Sequence, residues 1–509
     1  MGCLLYPAGY APMEGTMAVP DQTTEDLQLE RMAAAMSHSA YYRLSAADLN
    51  VLWTEDPAVL QHRQAVLADL LALPALEGAM DRLLGSIDGW ETRSGGVRRG
   101  LDGSAVGLNL EDFSWLGSCL KKLASASAEF SAIPVQSAGL KALTETLAAL
   151  RGSDRFRAVE ADFQTLCAGH VSPAKMRLGF NLDQELKPGK LKLLNMEPWT
   201  GDLAESKGRK PAAPEKRRLM LTQRAVETNA MLLQRTVMSA SQAVSAFVIR
   251  ETAALRGLKK DLIFCLSALK LCRSWSEAGL RHCFPTLLPK EDRAFRAKDM
   301  FDPLLLLGER EAVISNDIAL HDGGELAILT GANQGGKTVF LLSMALTQWL
   351  AQLGLPVPAA EAALSPADRL LTVFAPNGQR YGRRGLLAEE AERIAAAVAA
   401  VTPHSMVFFN EPLTSTGPEE AKSISAEVIA VFKAAGVRGV WVTHVYDLAA
   451  RRALLEEAVP WGSRLGSLRI LVEEGAEISR FTYKVARGEP DFNSRAGDVL
   501  RRKGVTLTK

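Results

Sequence analysis

The 509 residues carry 59 basic and 58 acidic side chains, a formal charge of +1, and 47% of them are apolar. That balance creates no global field for a polyanion, so any nucleic-acid contact must be local; the apolar share is enough for roughly two to four packed domains. No apolar run is long enough to span a bilayer, and Met1–Pro20 lacks the basic-then-apolar pattern of a secretory signal. The six scattered cysteines (Cys3, Cys119, Cys167, Cys265, Cys272 and Cys283) form no C-x-x-C pair, so neither a zinc site nor a disulfide framework is indicated and a cytoplasmic protein is expected.

In chain order, residues 1–45 are weakly patterned and Gly/Pro-rich at first, which predicts a flexible lead-in. Residues 46–300 read as an all-α domain, with Ala- and Leu-rich segments such as Ala58–Leu73 and Ala138–Leu150. From Glu215 to Leu255 there is no Gly or Pro, and apolar residues recur at helical spacing. As one helix this stretch would be about 60 Å long, the proportions of a lever or coiled-coil arm. A small β/loop tip interrupts the helices at about 175–218: a strand at Met176–Leu182, a Pro188-Gly189 turn, a second short strand, then a basic loop. Lys187–Arg218 holds nine basic against four acidic residues. The tip is either a phosphate-backbone contact, through Lys207, Arg209, Lys210, Lys216, Arg217 and Arg218, or a solvated loop at the end of a helical hairpin.

From 301 to 509 the texture alternates. Apolar strands are expected at Leu326–Leu329, Met406–Phe409, Gly439–Val442 and Ile470–Val472, and helices at Val339–Leu353, Leu386–Val401, Pro418–Ala434 and Val445–Glu457. This predicts an α/β domain with a largely parallel sheet.

Residues 331–338, Gly-Ala-Asn-Gln-Gly-Gly-Lys-Thr, fit G-x-x-x-x-G-K-[ST] between an apolar strand and an apolar helix. Backbone N–H groups of such a loop converge on phosphates, and the helix dipole adds positive potential. Lys337 reaches the β/γ-phosphates and the Thr338 hydroxyl ligates Mg²⁺, which predicts binding of ATP or a related triphosphate. Three further elements follow. Strand Met406–Phe409 ends in Asn410-Glu411: Asn410 serves a metal-bound water without a carboxylate's charge, and Glu411 is either the general base or a surface carboxylate at a strand end. Strand Gly439–Val442 ends in Thr443-His444, where His444 either senses the γ-phosphate or is structural. Arg383-Arg384, flanked by Gly382 and Gly385 before a helix, is either a γ-phosphate contact supplied to a neighbouring subunit or a basic surface turn.

The order of these elements resembles the ABC-type ATPases, and more closely the ATPase domain of the MutS family. Thr330-Gly331-Ala332-Asn333-Gln334-Gly335-Gly336-Lys337-Thr338 is similar to that family's T-G-[PA]-N-x-G-G-K-[ST] loop, followed by Val339. Gly354–Ala359 resembles its G-x-x-V-P-A turn, Asn410-Glu411 with Ser415-Thr416 its acidic strand end and S/T-rich loop, and Ser315-Asn316-Asp317 its N-[DP] element at the nucleotide base. Asp56-Pro57 through Arg63, Val66 and Asp69–Leu71 resembles the start of the family's helical core, the long helices its lever, and the basic tip its DNA clamp.

The resemblance implies an ABC-type P-loop ATPase domain behind a helical lever. It implies ATP and Mg²⁺ as ligands, the metal held partly through water by Thr338, Asn410 and Glu411, duplex, mismatched or branched DNA as partner, and a homodimer whose Arg383/Arg384 complete the other subunit's site. The aromatic that the family uses to stack adenine, just before the upstream Asn, is replaced around Val313, and Tyr483 is expected to supply that stacking instead. The departures from the family are Asn410 for the acidic residue, Arg383-Arg384 where a Ser is usual, fewer than fifty residues before the core, so that no mismatch-reading domain is expected, and no appended nuclease domain, which sets the chain apart from the branch that carries one. Two alternatives remain at this point: a nucleotide-gated scaffold with little hydrolysis, and an ABC ATPase acting on a protein or membrane partner.

Overall fold

The computed structural model describes residues 4–10, 19–101, 110–170, 173–182, 188–198, 250, 253–308, 313–332, 334–375, 385–473 and 480–490. The chain divides into two compact units. Among the described residues no helix is long and apolar enough to cross a membrane.

One unit takes in residues 73–135 and 140–262. In its helix Ala75–Leu101 the side chains Leu76, Met80, Leu83, Leu84, Ile87 and Trp90 recur at three- and four-residue steps; they share one face, and all are buried. That helix packs on Leu110–Ala132, which buries Cys119, Leu120, Leu123 and Phe130 in the same rhythm. Strands β1 (Pro173–Leu182) and β2 (Pro188–Pro198) pair antiparallel, as the strand–turn–strand pattern of the tip predicts. Nearly all of the expected rod Glu215–Leu255, and Lys207, Arg209, Lys210, Lys216, Arg217 and Arg218, lie outside the described residues.

The other unit takes in residues 2–72, 136–139 and 263–509. Its strands are β3 (Thr286–Leu287), β4 (Phe295–Met300), β5 (Asn316–Ala319), β6 (Glu325–Thr330), β7 (Glu361–Leu364), β8 (Leu370–Phe374), β9 (Met406–Asn410), β10 (Arg438–Val442), β11 (Arg464–Glu473) and β12 (Arg480–Arg487). Six form a sheet in the order β12-β11-β6-β10-β9-β8, with β11 through β8 parallel and β12 antiparallel to β11. A second sheet has the order β3-β7-β4-β5. Sequence periodicity does not reveal this smaller sheet, because its strands are short and charged: β4, Phe-Arg-Ala-Lys-Asp-Met, buries Phe295, Ala297 and Met300 and breaks the alternation at Asp299, where φ is +49°.

Alternation divides the larger sheet between two layers. Leu326, Ile328, Val407, Phe409 and Trp441 join Ile394, Ala397, Ile429 and Phe432 in one apolar cluster, so the helices Leu386–Ala400 and Pro418–Ala435 cover that face. Phe409 stacks on Trp441 at 4.3 Å between centroids and meets Phe432 edge-on at 4.9 Å. The opposite residues of β9 and β10 face the helix Lys337–Ala351, which is buried almost all round. Both faces covered is the condition for continuous apolar strands such as β6, and it leaves the carboxyl ends of the strands as a crevice. Two expected boundaries differ. Strand β11 is ten residues long where the sequence predicts Ile470–Val472, since Arg464, Ser467 and Arg469 interrupt the apolar run in the sequence, and the expected helix Val445–Glu457 is two helices, Tyr446–Ala450 and Arg452–Ala458.

Part of the segment expected as a lead-in is helical and anchored. Strand β8 ends the sheet order, and an uncovered edge leaves a row of unpaired backbone groups. The helix Asp21–Asp26 packs on it: Thr23 Oγ1 donates to the Leu370 carbonyl at 3.2 Å, and Thr372 Oγ1 donates to Asp26 Oδ2 at 2.7 Å. Burial raises the Asp26 carboxyl above the usual range, outweighing the bonds from Thr372 and Gln22 and the charge of Arg393. Further along, Trp349 Nε1 donates to Asn50 Oδ1 at 3.0 Å and the Thr54 N–H to the Gln352 carbonyl at 3.1 Å. Buried Arg63 donates to the carbonyls of Leu5, Leu52 and Leu353. Residues up to 72 thus share a unit with both sheets, where sequence alone divides the chain at 45/46 and 300/301.

Candidate active site

Strand β6 delivers the chain into the crevice at Thr330. The next residue, Gly331, has φ +152°, and a Cβ there would lie 2.7 Å from Ile470 Cγ1 of β11, so both conformation and space demand glycine. The loop folds back through a bond from the Gly335 N–H to the Ala332 carbonyl at 3.1 Å. Gly336, at φ +93°, turns the chain into the helix Lys337–Ala351 from the left-handed region. Glycines at these places let the first free N–H groups of a long buried helix open on the cleft.

Lys337 is 5% exposed. Its Nζ donates to the carbonyls of Gly331 at 2.8 Å and Ala332 at 3.3 Å, and lies 3.3 Å from Glu411 Oε1. Burial pushes the ammonium below the usual lysine range, and the Glu411 carboxylate pulls against that shift. Thr338 Oγ1 donates to Asn410 Oδ1 at 3.2 Å. Glu411 itself stands at φ +50°, with its N–H bonded to the Val442 carbonyl at 2.9 Å.

The far wall joins residues 167 apart in sequence. Buried Asn316 on β5 donates from Nδ2 to the Tyr483 carbonyl at 3.1 Å and accepts the Val485 N–H at 2.7 Å, which ties the small sheet to β12. Tyr483 has φ +58° and is 47% exposed, and its Cδ1 would lie 3.2 Å from a Cβ built on Gly336. The residues from both walls line a cleft of about 960 Å³.

The structure brings Gly335, Gly336, Lys337, Thr338, Val339, Asn316, Asn410, Glu411 and Tyr483 to this one cleft, with Gly331 at its edge through the bond to Lys337. His444 is exposed just beyond β10 and is not among the lining residues. Asn333, Arg383 and Arg384 lie outside the described residues. Sequence reasoning missed Leu305, Ile314, Gln334, Phe340 and Ser343, which also line the cleft. Gln334 lies inside the recognised loop, and Ile314 two residues before Asn316; Leu305 carries no sequence signal.

The cleft combines a glycine-opened helix N-terminus with a buried cation, a hydroxyl–carboxamide pair of oxygens and one carboxylate, beside apolar and aromatic side chains. Such a constellation can grip a phosphate chain, offer oxygen ligands to a hard cation and orient a water for attack.

Comparison with known proteins bears on the same regions. Residues 327–495 match the family model of MutS domain V, and residues 55–278 that of the MutS2 N-terminal domain. The chain is 31% identical over 251 residues to the DNA mismatch repair protein MutS of Prochlorococcus marinus, covering 47% of this chain and 25% of that protein. It is 32% identical over 207 residues to the endonuclease MutS2 of Geobacillus kaustophilus, covering 40% and 24%. It is 30% identical over 193 residues to the DNA mismatch repair protein MutS 2 of Halobacterium salinarum, covering 38% and 21%. The matches span about a quarter of these relatives' lengths. The helical half thus matches a MutS2 model, whereas sequence alone set the chain apart from the nuclease-bearing branch.

Proposed function

The chain belongs to the MutS family, and from that premise we propose that it is an ATP-driven DNA-binding protein in which nucleotide binding and hydrolysis gate a DNA clamp in repair or recombination. The observation that carries this reading is the setting of Lys337: a buried ammonium at a glycine-opened helix N-terminus, 3.3 Å from Glu411 and next in sequence to the hydroxyl that meets Asn410. The phosphates of ATP take over the loop N–H groups and Lys337, and Asn316 and Tyr483 shape the side that receives adenine. Thr338 and Asn410 would hold Mg²⁺, directly or through water, and the ion when bound supplies positive charge against the phosphate oxygens. Their paired oxygens fit a hard cation, though both are neutral. Glu411 accepts the proton of the attacking water. Arg383 and Arg384 reach the γ-phosphate of a partner subunit in a homodimer, and His444 acts as a γ-phosphate sensor that approaches only when that interface closes. The basic tip contacts the DNA backbone.

The test is binding to homoduplex, mismatched and branched DNA with and without ATP. An ATP-dependent change in affinity for at least one of them is expected, and failure on all three at low salt would remove the DNA role. A second reading rests on Asn410: a site whose metal pair lacks a carboxylate favours a nucleotide-gated scaffold that binds ATP and turns it over slowly.

A further inference from the structure

The segment that follows Glu411 is held in a conformation its own residues resist. A residue before proline is driven toward extended backbone, yet Glu411, followed by Pro412, stands at φ +50°. Leu413 is left-handed too, at φ +63°, with its side chain 3% exposed in the apolar cluster beneath the sheet. Two non-glycine residues in the left-handed region within three positions persist only where the surroundings impose them.

Besides the bond from the Glu411 N–H to Val442 and the burial of Leu413, a carboxylate from another element grips the residues that follow. Glu390, on the helix Leu386–Ala400, is 2% exposed. Its Oε1 accepts the Thr414 N–H at 3.1 Å and the Thr414 hydroxyl at 3.2 Å, and its Oε2 accepts the Ser415 N–H at 3.4 Å and the Ser415 hydroxyl. Four donors from two adjacent residues converge on one buried carboxylate. Charged acceptors make the stronger hydrogen bonds, and burial keeps water from competing for them. Thr414 and Ser415 are themselves exposed, so the grip fixes a surface turn instead of filling a core.

We propose that Glu390 is a positioning residue: by clamping Thr414 and Ser415 it holds the Glu411–Leu413 turn in its strained form and so keeps the Glu411 carboxylate beside Lys337. The helix that carries Glu390 starts directly after Gly385, hence next in sequence to Arg383-Arg384, so any displacement of that helix is transmitted to Glu411 through these bonds. This proposal rests on the reading of Glu411 as the base.

The experiment uses the full chain as wild type, Glu390→Ala, Glu390→Gln and Glu411→Gln, with three readouts: hydrogen exchange of residues 411–417, affinity for a fluorescent ATP analogue, and phosphate release. In Glu390→Ala, exchange at Thr414 and Ser415 rises at least tenfold and turnover falls by about 10- to 100-fold, the scale of a catalytic group displaced by about 1 Å. Nucleotide affinity stays within about twofold, because the loop and Lys337 are untouched. Glu390→Gln falls between wild type and Ala, since its amide oxygen still accepts from one residue while its NH₂ faces donors on the other. A merely structural role would lower the melting temperature and the affinity together. Unchanged exchange, or turnover that falls only in step with affinity, overturns the proposal and leaves Glu411 as the base. Wild-type turnover in Glu411→Gln removes the base itself, and the proposal with it.

Discussion

Lys337→Met separates the binding role of this residue from its role in folding. In the wild type the ammonium is 95% hidden, and its compensation is two loop carbonyls and a carboxylate 3.3 Å away. Burial disfavours the charged form, so at neutral pH the folded chain carries a desolvation cost that Met, of nearly equal volume, does not. The partner left behind, Glu411, has 31% of its side chain exposed and is rehydrated at little cost. The ligand-free protein is therefore expected to be as stable as wild type or more stable, by up to about 1–2 kcal/mol. Nucleotide binding moves the other way. Losing charge-assisted bonds to phosphate, worth about 1.5–3 kcal/mol each, weakens affinity by about 10- to 1,000-fold. Thermal melting without ligand and titration with a fluorescent ATP analogue measure the two halves. Affinity within twofold of wild type, or loss of affinity together with a lower melting temperature, would refute the reasoning.

Three further outcomes follow, two from the geometry and the third from the charge pattern of the sequence. Gly331→Ala must place a Cβ against Ile470 at a backbone angle that favours glycine; about 2–5 kcal/mol of stability is lost, and a denaturant midpoint unchanged from wild type contradicts the close approach. Asp26 has a raised carboxyl pKa, so its neutral form is favoured by folding: its contribution is full below the unfolded-state pKa and is lost as pH rises through the folded one. Asp26→Asn should thus melt at or above wild type at pH 8 and lose part of the pH dependence, and a lower midpoint at pH 8 than at pH 5 relative to wild type would show that Arg393 dominates instead. Replacing Lys216, Arg217 and Arg218 by Ala should flatten the plot of log affinity for DNA against log salt by about 0.9 for each phosphate no longer neutralised; an unchanged slope would place the DNA-binding surface elsewhere.

How much of this was legible in sequence follows from distance along the chain. The phosphate loop is a local object: glycines, lysine and threonine lie within eight residues, and the strand and helix that present them are their immediate neighbours. Asn410-Glu411 was equally legible, because an apolar strand announces where it ends. Asn316 and Tyr483 carry no mutual signal; they meet because two sheets meet, and only the family resemblance singled out Asn316. Glu390 was hidden by its own neighbourhood: in Ala388-Glu389-Glu390-Ala391-Glu392 nothing distinguishes the buried carboxylate from two that belong on a solvated helix face. His444 occupies a strand-end position that is favoured in general, and here it is exposed and not among the residues that line the cleft. The helix Asp21–Asp26 was unread because its role, covering the edge of β8, depends on a strand about 350 residues away.

The central claim is that Glu411, set beside Lys337 and across from a Thr338–Asn410 pair, makes this cleft an ATPase. Steady-state phosphate release by wild type and by Glu411→Gln, each with and without DNA, tests it most directly. The expected result is measurable wild-type turnover that responds to DNA and falls by at least a hundredfold in Glu411→Gln while ATP affinity is retained. Equal rates for the two proteins would contradict it.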